Sequence, residues 1–130
     1  KALSEIAGIA SILIASEIMS SVNKGNGLLM GNISGVPPTD VVILGAGTVG
    51  EFAARSAIGL GARVKVFDNS LTKLRSLQQR LRQPIYTSTI QPKTLQKALM
   101  RCDIAIGAIR GVARSPIIVT ENKMLCGLMY

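Results

Sequence analysis

The feature that most restricts the fold of this chain is a run of closely spaced glycines that directly follows a short apolar segment. Gly45, Gly47 and Gly50 follow Val41–Leu44 in the order Gly-x-Gly-x-x-Gly, and a helical pattern opens within the run. Glycine permits a tight turn at the first position, leaves the backbone open to a ligand at the second, and allows close helix–strand packing at the third. The pattern predicts the first strand–turn–helix unit of an α/β sheet.

An acidic residue follows this unit at the spacing that a nucleotide site requires. Asp68 ends the second apolar segment, eighteen residues after Gly50. The N-terminus of a helix attracts phosphates, and a carboxylate at the end of the second strand can accept both hydroxyls of a ribose. The combination predicts a dinucleotide site that prefers NAD to NADP, although Lys73 and Arg75 weaken that preference. The alternative is a glycine turn beside a surface aspartate that caps the next helix.

Short apolar strands alternate with amphipathic helices from Val41 onward. We predict strands at Val41–Leu44, Arg63–Phe67, Ile85–Ser88, Ile104–Ala108 and Ile117–Val119, and helices at Val49–Gly59, Leu71–Arg82 and Thr94–Met100. This alternation predicts an α/β fold of three layers (α/β/α), a Rossmann-type doubly wound parallel sheet with helices on both faces.

The chain has the length and composition of one globular domain, with 130 residues of which 48% are hydrophobic. We expect a long leading helix over 1–23, buried on most sides, with Ser4 as its N-cap. A Gly/Pro loop over 24–40, the strand–helix units over 41–120 and an atypical tail over 121–130 follow. The apolar leading helix would expose much of its surface unless it packs on the sheet or on a copy of itself, so we expect a homo-oligomer.

Composition excludes several kinds of site. The chain has no His, which removes the commonest general base and zinc ligand, and we expect neither catalytic residues nor a metal site. The net charge of +8 is dispersed and aromatic residues make up 3%, so we expect no nucleic-acid partner. The first apolar stretch is too short to cross a membrane. Cys102 and Cys126 form no disulfide framework, which favours a reducing, cytoplasmic location. We interpret Cys102 as a core residue.

A second glycine-containing stretch, Gly107-Ala108-Ile109-Arg110-Gly111, ends a later strand. Ligands of open α/β sheets bind at the carboxyl ends of the strands, so this backbone could lie against the second ribose of a dinucleotide. An ordinary exit from strand to loop explains the same spacing equally well.

Several stretches together resemble the alanine dehydrogenase family and its relative, the transhydrogenase alpha subunit. They are Ser4-Glu5-Ile6-Ala7-Gly8, Gly35-Val36-Pro37-Pro38, Val41 to Gly47, Val66-Phe67-Asp68 and Asp103 to Ala108. The likeness covers residues 2–120. It departs at Ile9, where the family often has a basic residue, at Arg110, where it has an apolar one, and in the terminal stretch from Lys123 to Tyr130.

The resemblance implies a role for individual residues. Ser4 would bond the cofactor near its nicotinamide or phosphate end, Asp68 would hold the adenosine ribose, and Lys73 would lie by the adenine. Ile109 and Arg110 would line the nicotinamide ribose. The full set of expected cofactor-binding residues is Ser4, Gly45, Ala46, Gly47, Thr48, Val49, Gly50, Asp68, Asn69, Lys73, Ala108, Ile109 and Arg110.

The resemblance also implies an activity, the oxidation of L-alanine by NAD to pyruvate, ammonia and NADH. The family's catalytic His and Lys precede the position of Ser4, and its catalytic Asp follows the last residue of this chain. We therefore expect a dinucleotide-binding domain whose partner, the substrate-binding domain of the same polypeptide, is absent, and which binds NAD(H) with little or no turnover. The alternatives are a part of a transhydrogenase alpha subunit and a Rossmann-type regulatory or nucleic-acid-binding module.

Overall fold

A computed structural model describes residues 2–20, 38–108, 117–120 and 123–126 of the chain. This part contains four helices and six strands. In chain order they are α1 (Ala2–Ser20), β1 (Asp40–Leu44), α2 (Thr48–Gly59), β2 (Arg63–Phe67), α3 (Leu71–Leu81), β3 (Tyr86–Ser88), α4 (Pro92–Arg101), β4 (Ile104–Gly107), β5 (Ile117–Thr120) and β6 (Lys123–Cys126).

The strands form one sheet in the order β3-β2-β1-β4-β5-β6. The first four strands are parallel, and Val42 at the centre of β1 pairs with Lys65 on one side and Ala105 on the other. The chain moves outward from β1 to β3 and then returns to the other side of β1 through α4. This reversal confirms the predicted doubly wound α/β fold.

The last two strands depart from the expected parallel arrangement. β5 pairs antiparallel with β4, and β6, which lies in the expected atypical tail, pairs antiparallel with β5. A parallel crossover needs a dozen or more residues, whereas nine residues separate β4 from β5 and two separate β5 from β6. A two-residue connection is the length of a tight hairpin, so these strands extend the sheet without a further helix.

Two apolar cores lie on opposite faces of the sheet. The larger core joins α1, α2 and α3 to alternate residues of the central strands, among them Ile43, Val66 and Ile106. The smaller core joins Val42 and Phe67, on the other face, to Ala98 of α4. Successive residues of a strand point to opposite faces, so buried runs such as Val41–Ile43 supply both cores. The three-layer architecture follows from this division.

The first helix differs from its prediction in two respects. Helix α1 already begins at Ala2, so Ser4 lies within the helix and is not its N-cap. Among residues 2–17, whose burial is described, the buried side chains lie on one face of the helix, through Ala7, Ser11, Ile12 and Ala15. Its apolar content is spread around the circumference, and a helix that packs on a single partner can bury only part of such a surface.

Helix α1 packs mainly on α2, and a glycine sets how close the two helices come. A Cβ atom at Gly8 would lie 2.5 Å from the carbonyl oxygen of Val49 and 3.0 Å from the backbone nitrogen of Ala53. The helices therefore cross almost backbone to backbone. This crossing places the first turn of α1 beside the glycine loop.

Candidate functional site

The three glycines of the loop between β1 and α2 differ in their surroundings. Gly45 has a φ of 113°, in the left-handed region that favours glycine, and its N–H donates to the carbonyl oxygen of Phe67 at 2.7 Å. A Cβ atom at Gly50 would overlap the carbonyl oxygen of Gly45. A Cβ atom at Gly47 would meet nothing within 4 Å. The loop thus turns at the first glycine, packs at the third and faces open space at the second.

Helix α2 begins in this open space without a side-chain cap. Gly47 is its N-cap residue and offers no side chain that could accept from the first N–H groups of the helix. The opening N–H groups of an α-helix have no acceptor within the helix and carry a partial positive charge. The start of α2 can therefore donate hydrogen bonds to an anionic group.

Asp68 is joined to the glycine loop by a direct hydrogen bond. Its Oδ2 accepts from the backbone N–H of Ala46 at 2.8 Å, and its Oδ1 accepts from the N–H of Ser70 at 2.8 Å. The cap of α3 is Ser70, whose hydroxyl oxygen accepts from the N–H of Lys73 at 3.3 Å. Asp68 is therefore not the helix cap of the alternative interpretation. Because a carboxylate has about four acceptor positions, each oxygen can still accept from a ligand.

These elements surround a cleft of about 410 Å³ at the carboxyl edge of the parallel strands. The cleft lies where β1 and β4 lead to opposite halves of the sheet, the position at which open α/β sheets bind ligands. Its lining residues come from the glycine loop, the helices α1, α2 and α3, and the segments that follow β2, β3 and β4. They are Ser4, Gly45, Gly47, Thr48, Val49, Asp68, Asn69, Lys73, Ile90 and Ala108.

Most residues expected at the site are brought together in this cleft. Ala46 and Gly50 are buried behind the loop surface and shape it without lining it. Ile109 and Arg110 lie outside the described residues. Ile90 was not expected, although it comes two residues after β3 ends and so reaches the same sheet edge as the other lining residues.

The charged side chains of the cleft are those of Asp68 and Lys73, which carry opposite charges, and Lys73 is exposed. The cleft thus offers a carboxylate at the end of β2, an ammonium group on α3 and helix N–H groups. No group of acidic, Cys or His side chains in the described part of the chain could hold a metal ion. The described helices also include none that is long and apolar enough to cross a membrane.

Cys102 lies away from this cleft and packs against the smaller core. Burial raises the pKa of the Cys102 thiol above its ordinary value, and the carboxylates of Asp103 and Asp40 raise it further. A thiol with a raised pKa stays protonated near neutral pH and is a poor nucleophile. The interpretation of Cys102 as a packing residue agrees with this environment.

A family model described as "Alanine dehydrogenase/PNT, C-terminal domain" matches residues 11–128. The match reaches residue 128 and so includes most of the tail over 121–130 that we expected to be atypical. Among curated proteins, the chain is 40% identical over 121 residues to an alanine dehydrogenase of Mycobacterium tuberculosis, covering 92% of this chain and 33% of that protein. The chain thus spans about a third of the length of the curated relatives it matches.

Solved structures give the same result for the fold. The chain superposes on an L-alanine dehydrogenase with a TM-score of 0.77 and 32% identity, covering 86% of this chain and 32% of that one. A transhydrogenase from Sinorhizobium meliloti superposes with a TM-score of 0.63 at 19% identity, covering 81% of this chain and 29% of the other. The second likeness is one of fold.

Proposed function

Since this chain belongs to the family of the alanine dehydrogenase and transhydrogenase C-terminal domain, we propose that it is the dinucleotide-binding part of an alanine dehydrogenase-like oxidoreductase. The full enzyme would oxidise L-alanine to pyruvate and ammonia with NAD as hydride acceptor. The observation that carries the proposal is the bond between Asp68 and the glycine loop, which brings a carboxylate and an uncapped helix N-terminus to one cleft.

The cleft fits the chemistry of a dinucleotide. The open space at Gly47 and the N–H groups that open α2 suit a pyrophosphate, which needs donors and close backbone approach. The remaining acceptor positions of Asp68 suit the two hydroxyls of the adenosine ribose. Lys73, on α3, would lie by the adenine, and Ser4, on α1, would bond the cofactor nearer its nicotinamide or phosphate end.

The proposed cofactor is NAD, with NADP less favoured. A 2′-phosphate on the adenosine ribose would meet the carboxylate of Asp68, which already accepts two backbone hydrogen bonds. Two anions at that distance repel each other in a partly buried site. Lys73 lines the same cleft and offsets a part of that repulsion. NADPH should therefore bind more weakly than NADH without being excluded.

The chemical step would need groups that this chain does not contain. The sequence has no His, the side chain that most often acts as a general base, and the charged groups of the cleft, Asp68 and Lys73, are assigned here to the adenosine end of the cofactor. We propose that a substrate-binding domain elsewhere in the same polypeptide supplies them. The chain by itself would bind NAD(H) with little or no alanine turnover, and its cysteines suit a cytoplasmic location.

A part of a transhydrogenase alpha subunit is the less favoured alternative. The identities to alanine dehydrogenases are 32–40%, against 19% to the transhydrogenase structure. A Rossmann-type regulatory or nucleic-acid-binding module would not need Asp68 to hold the glycine loop in an open cleft.

Titration of NADH into the 130-residue chain, followed by calorimetry, tests the proposal. NADH should bind more tightly than NADPH, and Asp68→Asn should weaken NADH binding by about tenfold or more, because a hydrogen bond to a charged group is worth about 1.5–3 kcal/mol. Asp103→Asn is the matched control. Asp103 also accepts a backbone N–H, from Asp40 at 2.9 Å, but at the opposite edge of the sheet.

The result that would overturn the proposal is a folded chain, by circular dichroism, that binds neither nucleotide. Equal losses of affinity in Asp68→Asn and Asp103→Asn would show that the effect of the first variant is not local to the cleft. The parent reaction is tested separately, by assays of alanine oxidation with the complete enzyme.

We also propose that α1 joins two copies of the chain. Its outward face carries four apolar side chains at 40–59% exposure: Leu3, Ile6, Ile9 and Leu13. An apolar helical stripe of this length is costly to leave in water and can pack against its own copy across a two-fold axis.

A further inference from the structure

The molecule has a second cleft, of about 330 Å³, which shares no lining residue with the first. We name it the basic cleft and define it by Lys65 of β2, Tyr86 of β3, and Lys93, Lys97 and Arg101 of α4. Phe67, Thr94 and Ala98 complete its wall. Phe67 and Ala98 belong to the smaller core, so the basic cleft lies on the α4 face of the sheet.

Three of its cations form a stripe on one helix. Lys93, Lys97 and Arg101 are spaced four residues apart, so they stand on the same face of α4 in successive turns and span about 12 Å along its axis. Like charges at this spacing repel each other and destabilise a helix unless a counter-charge lies between them. Among the described residues that line the basic cleft, none is acidic.

The described carboxylates that form ion pairs do so with cations outside this cleft, and Asp103, two residues after Arg101, accepts the backbone N–H of Asp40. Asp40 pairs with Arg63, and Glu51 pairs with both Arg55 and Arg80. Within the described ranges, the ion pairs involve Arg55, Arg63 and Arg80, and none involves a cation of the basic cleft. Four positive side chains face one concavity, and no carboxylate of the described residues forms an ion pair with any of them.

An exposed aromatic ring adds a flat surface to this concavity. Tyr86 is 50% exposed, its ring lies 6.2 Å from that of Phe67, and the Lys65 Nζ lies 5.6 Å from the Tyr86 ring centroid. The ring holds Lys65 over the cleft, because a cation is attracted to the face of an aromatic ring. The Tyr86 hydroxyl is a further hydrogen-bond donor.

From this geometry we propose that the basic cleft binds a small anion that carries at least two phosphate groups. Its volume is that of a pocket for a small molecule. Ammonium and guanidinium groups on one helix and a neighbouring strand match several phosphate oxygens at once, and the arginine can donate two parallel bonds to one phosphate. This site is separate from the proposed dinucleotide site and does not depend on it.

The dimensions disfavour a nucleic acid as the ligand. Nucleic-acid surfaces present cations along an extended track, frequently with aromatic rings between them. Here the three cations of α4 span only about 12 Å, and Tyr86 is the one exposed ring among the residues that line the cleft. A duplex would contact at most the rim of such a concavity.

The test is a titration of the ¹⁵N-labelled 130-residue chain with inorganic pyrophosphate, followed by NMR. The amide chemical shifts of Lys93–Arg101 and Tyr86 should change saturably with pyrophosphate concentration. A simultaneous change at the amides of Gly45–Gly50 does not affect this expectation. Lys97→Glu should weaken the response of α4 by about tenfold or more, since it replaces an attraction by a repulsion. The matched control is Arg75→Glu, the same change of charge at an exposed position of α3 that lines neither cleft.

Three outcomes would overturn the proposal. The first is shifts confined to the glycine loop, and the second is an equal loss of affinity in Lys97→Glu and Arg75→Glu with unchanged thermal unfolding. The third is binding of citrate or of duplex DNA at α4 as tightly as pyrophosphate at the same ionic strength. A failure of NADH to bind would not affect this result, because different backbone amides report on ligand binding in the two clefts.

Discussion

Gly50 shows how a single atom shapes the ligand cleft. The α2 backbone at this residue approaches the carbonyl of Gly45 so closely that no side chain fits between them. Gly45 in turn has the positive φ that turns the chain out of β1. The two residues bring the start of α2 against the end of β1, which leaves Gly47 at the open side of the loop. The site therefore depends on contacts that no ligand makes.

Replacing Gly50 or Gly59 of α2 by alanine should separate the close packing at Gly50 from the general preference of helices for alanine over glycine. Gly50→Ala should lower the free energy of unfolding by about 1–3 kcal/mol, because its Cβ would overlap backbone that cannot move independently. Gly59→Ala meets nothing within 4 Å and should leave stability unchanged or raise it by up to about 1 kcal/mol. Urea unfolding followed by circular dichroism measures both. Equal effects in the two variants would contradict the packing role of Gly50.

Residue types and spacing predicted the glycine turn and Asp68, because each of these follows from local backbone geometry. They did not predict that Asp68 would bond to Ala46, twenty-two positions earlier, since that bond needs β1 and β2 to pair in register. Ile90 was missed for a similar reason. An isoleucine after a strand is usually a core residue, and only the sheet order brings it to the cleft edge.

At the scale of elements, the crossing of α1 and α2 governs the position of Ser4. Gly8 lies one turn after Ser4 and lets α1 approach the backbone of α2 near Val49. Ser4 then lines the cleft that begins at the N-terminus of α2. A change at Gly8 should therefore alter both the stability of the fold and the shape of the cleft.

The sign of the stability change in Gly8→Ala tests how closely α1 and α2 approach each other. In a helix that packs freely, replacing an interior glycine by alanine stabilises by about 0.5–1 kcal/mol. Here the new methyl group would meet two backbone atoms of α2, so we expect a loss of about 1–3 kcal/mol in thermal unfolding. NADH affinity should fall as well. An increase in melting temperature would show that the two helices do not cross as closely as described.

Periodicity located β1 to β4, and the helices α2 to α4 between them, to within about two residues, since short apolar strands alternate with helices that have clear start signals. Helix α4 begins earlier than predicted because Pro92 is tolerated in the first turn of a helix. The direction of β5 and the existence of β6 were not predicted. Apolar content alone does not give strand direction, which here follows from the short connections.

At the scale of the whole molecule, the apolar face of α1 makes assembly testable. In analytical ultracentrifugation at high micromolar concentration, the wild-type chain should show a molar mass above the 13.7 kDa of a monomer. The double variant Ile6→Gln, Leu13→Gln should shift towards the monomer, because polar amides remove the apolar area that self-association buries. Leu71→Gln, at 55% exposure on α3, is the control. A wild-type mass equal to one chain would contradict the proposal.

Helix α1 carries Ser4 on the cleft side and the apolar stripe on its outer side. A rigid helix cannot reorient one side without the other, so ligand occupancy and self-association share a common structural element. By thermodynamic reciprocity, if the nucleotide tightens the pairing of two copies, then pairing tightens the nucleotide by the same factor. Dilution of the chain would then weaken its apparent affinity for a small molecule, without any change in the atoms that touch it.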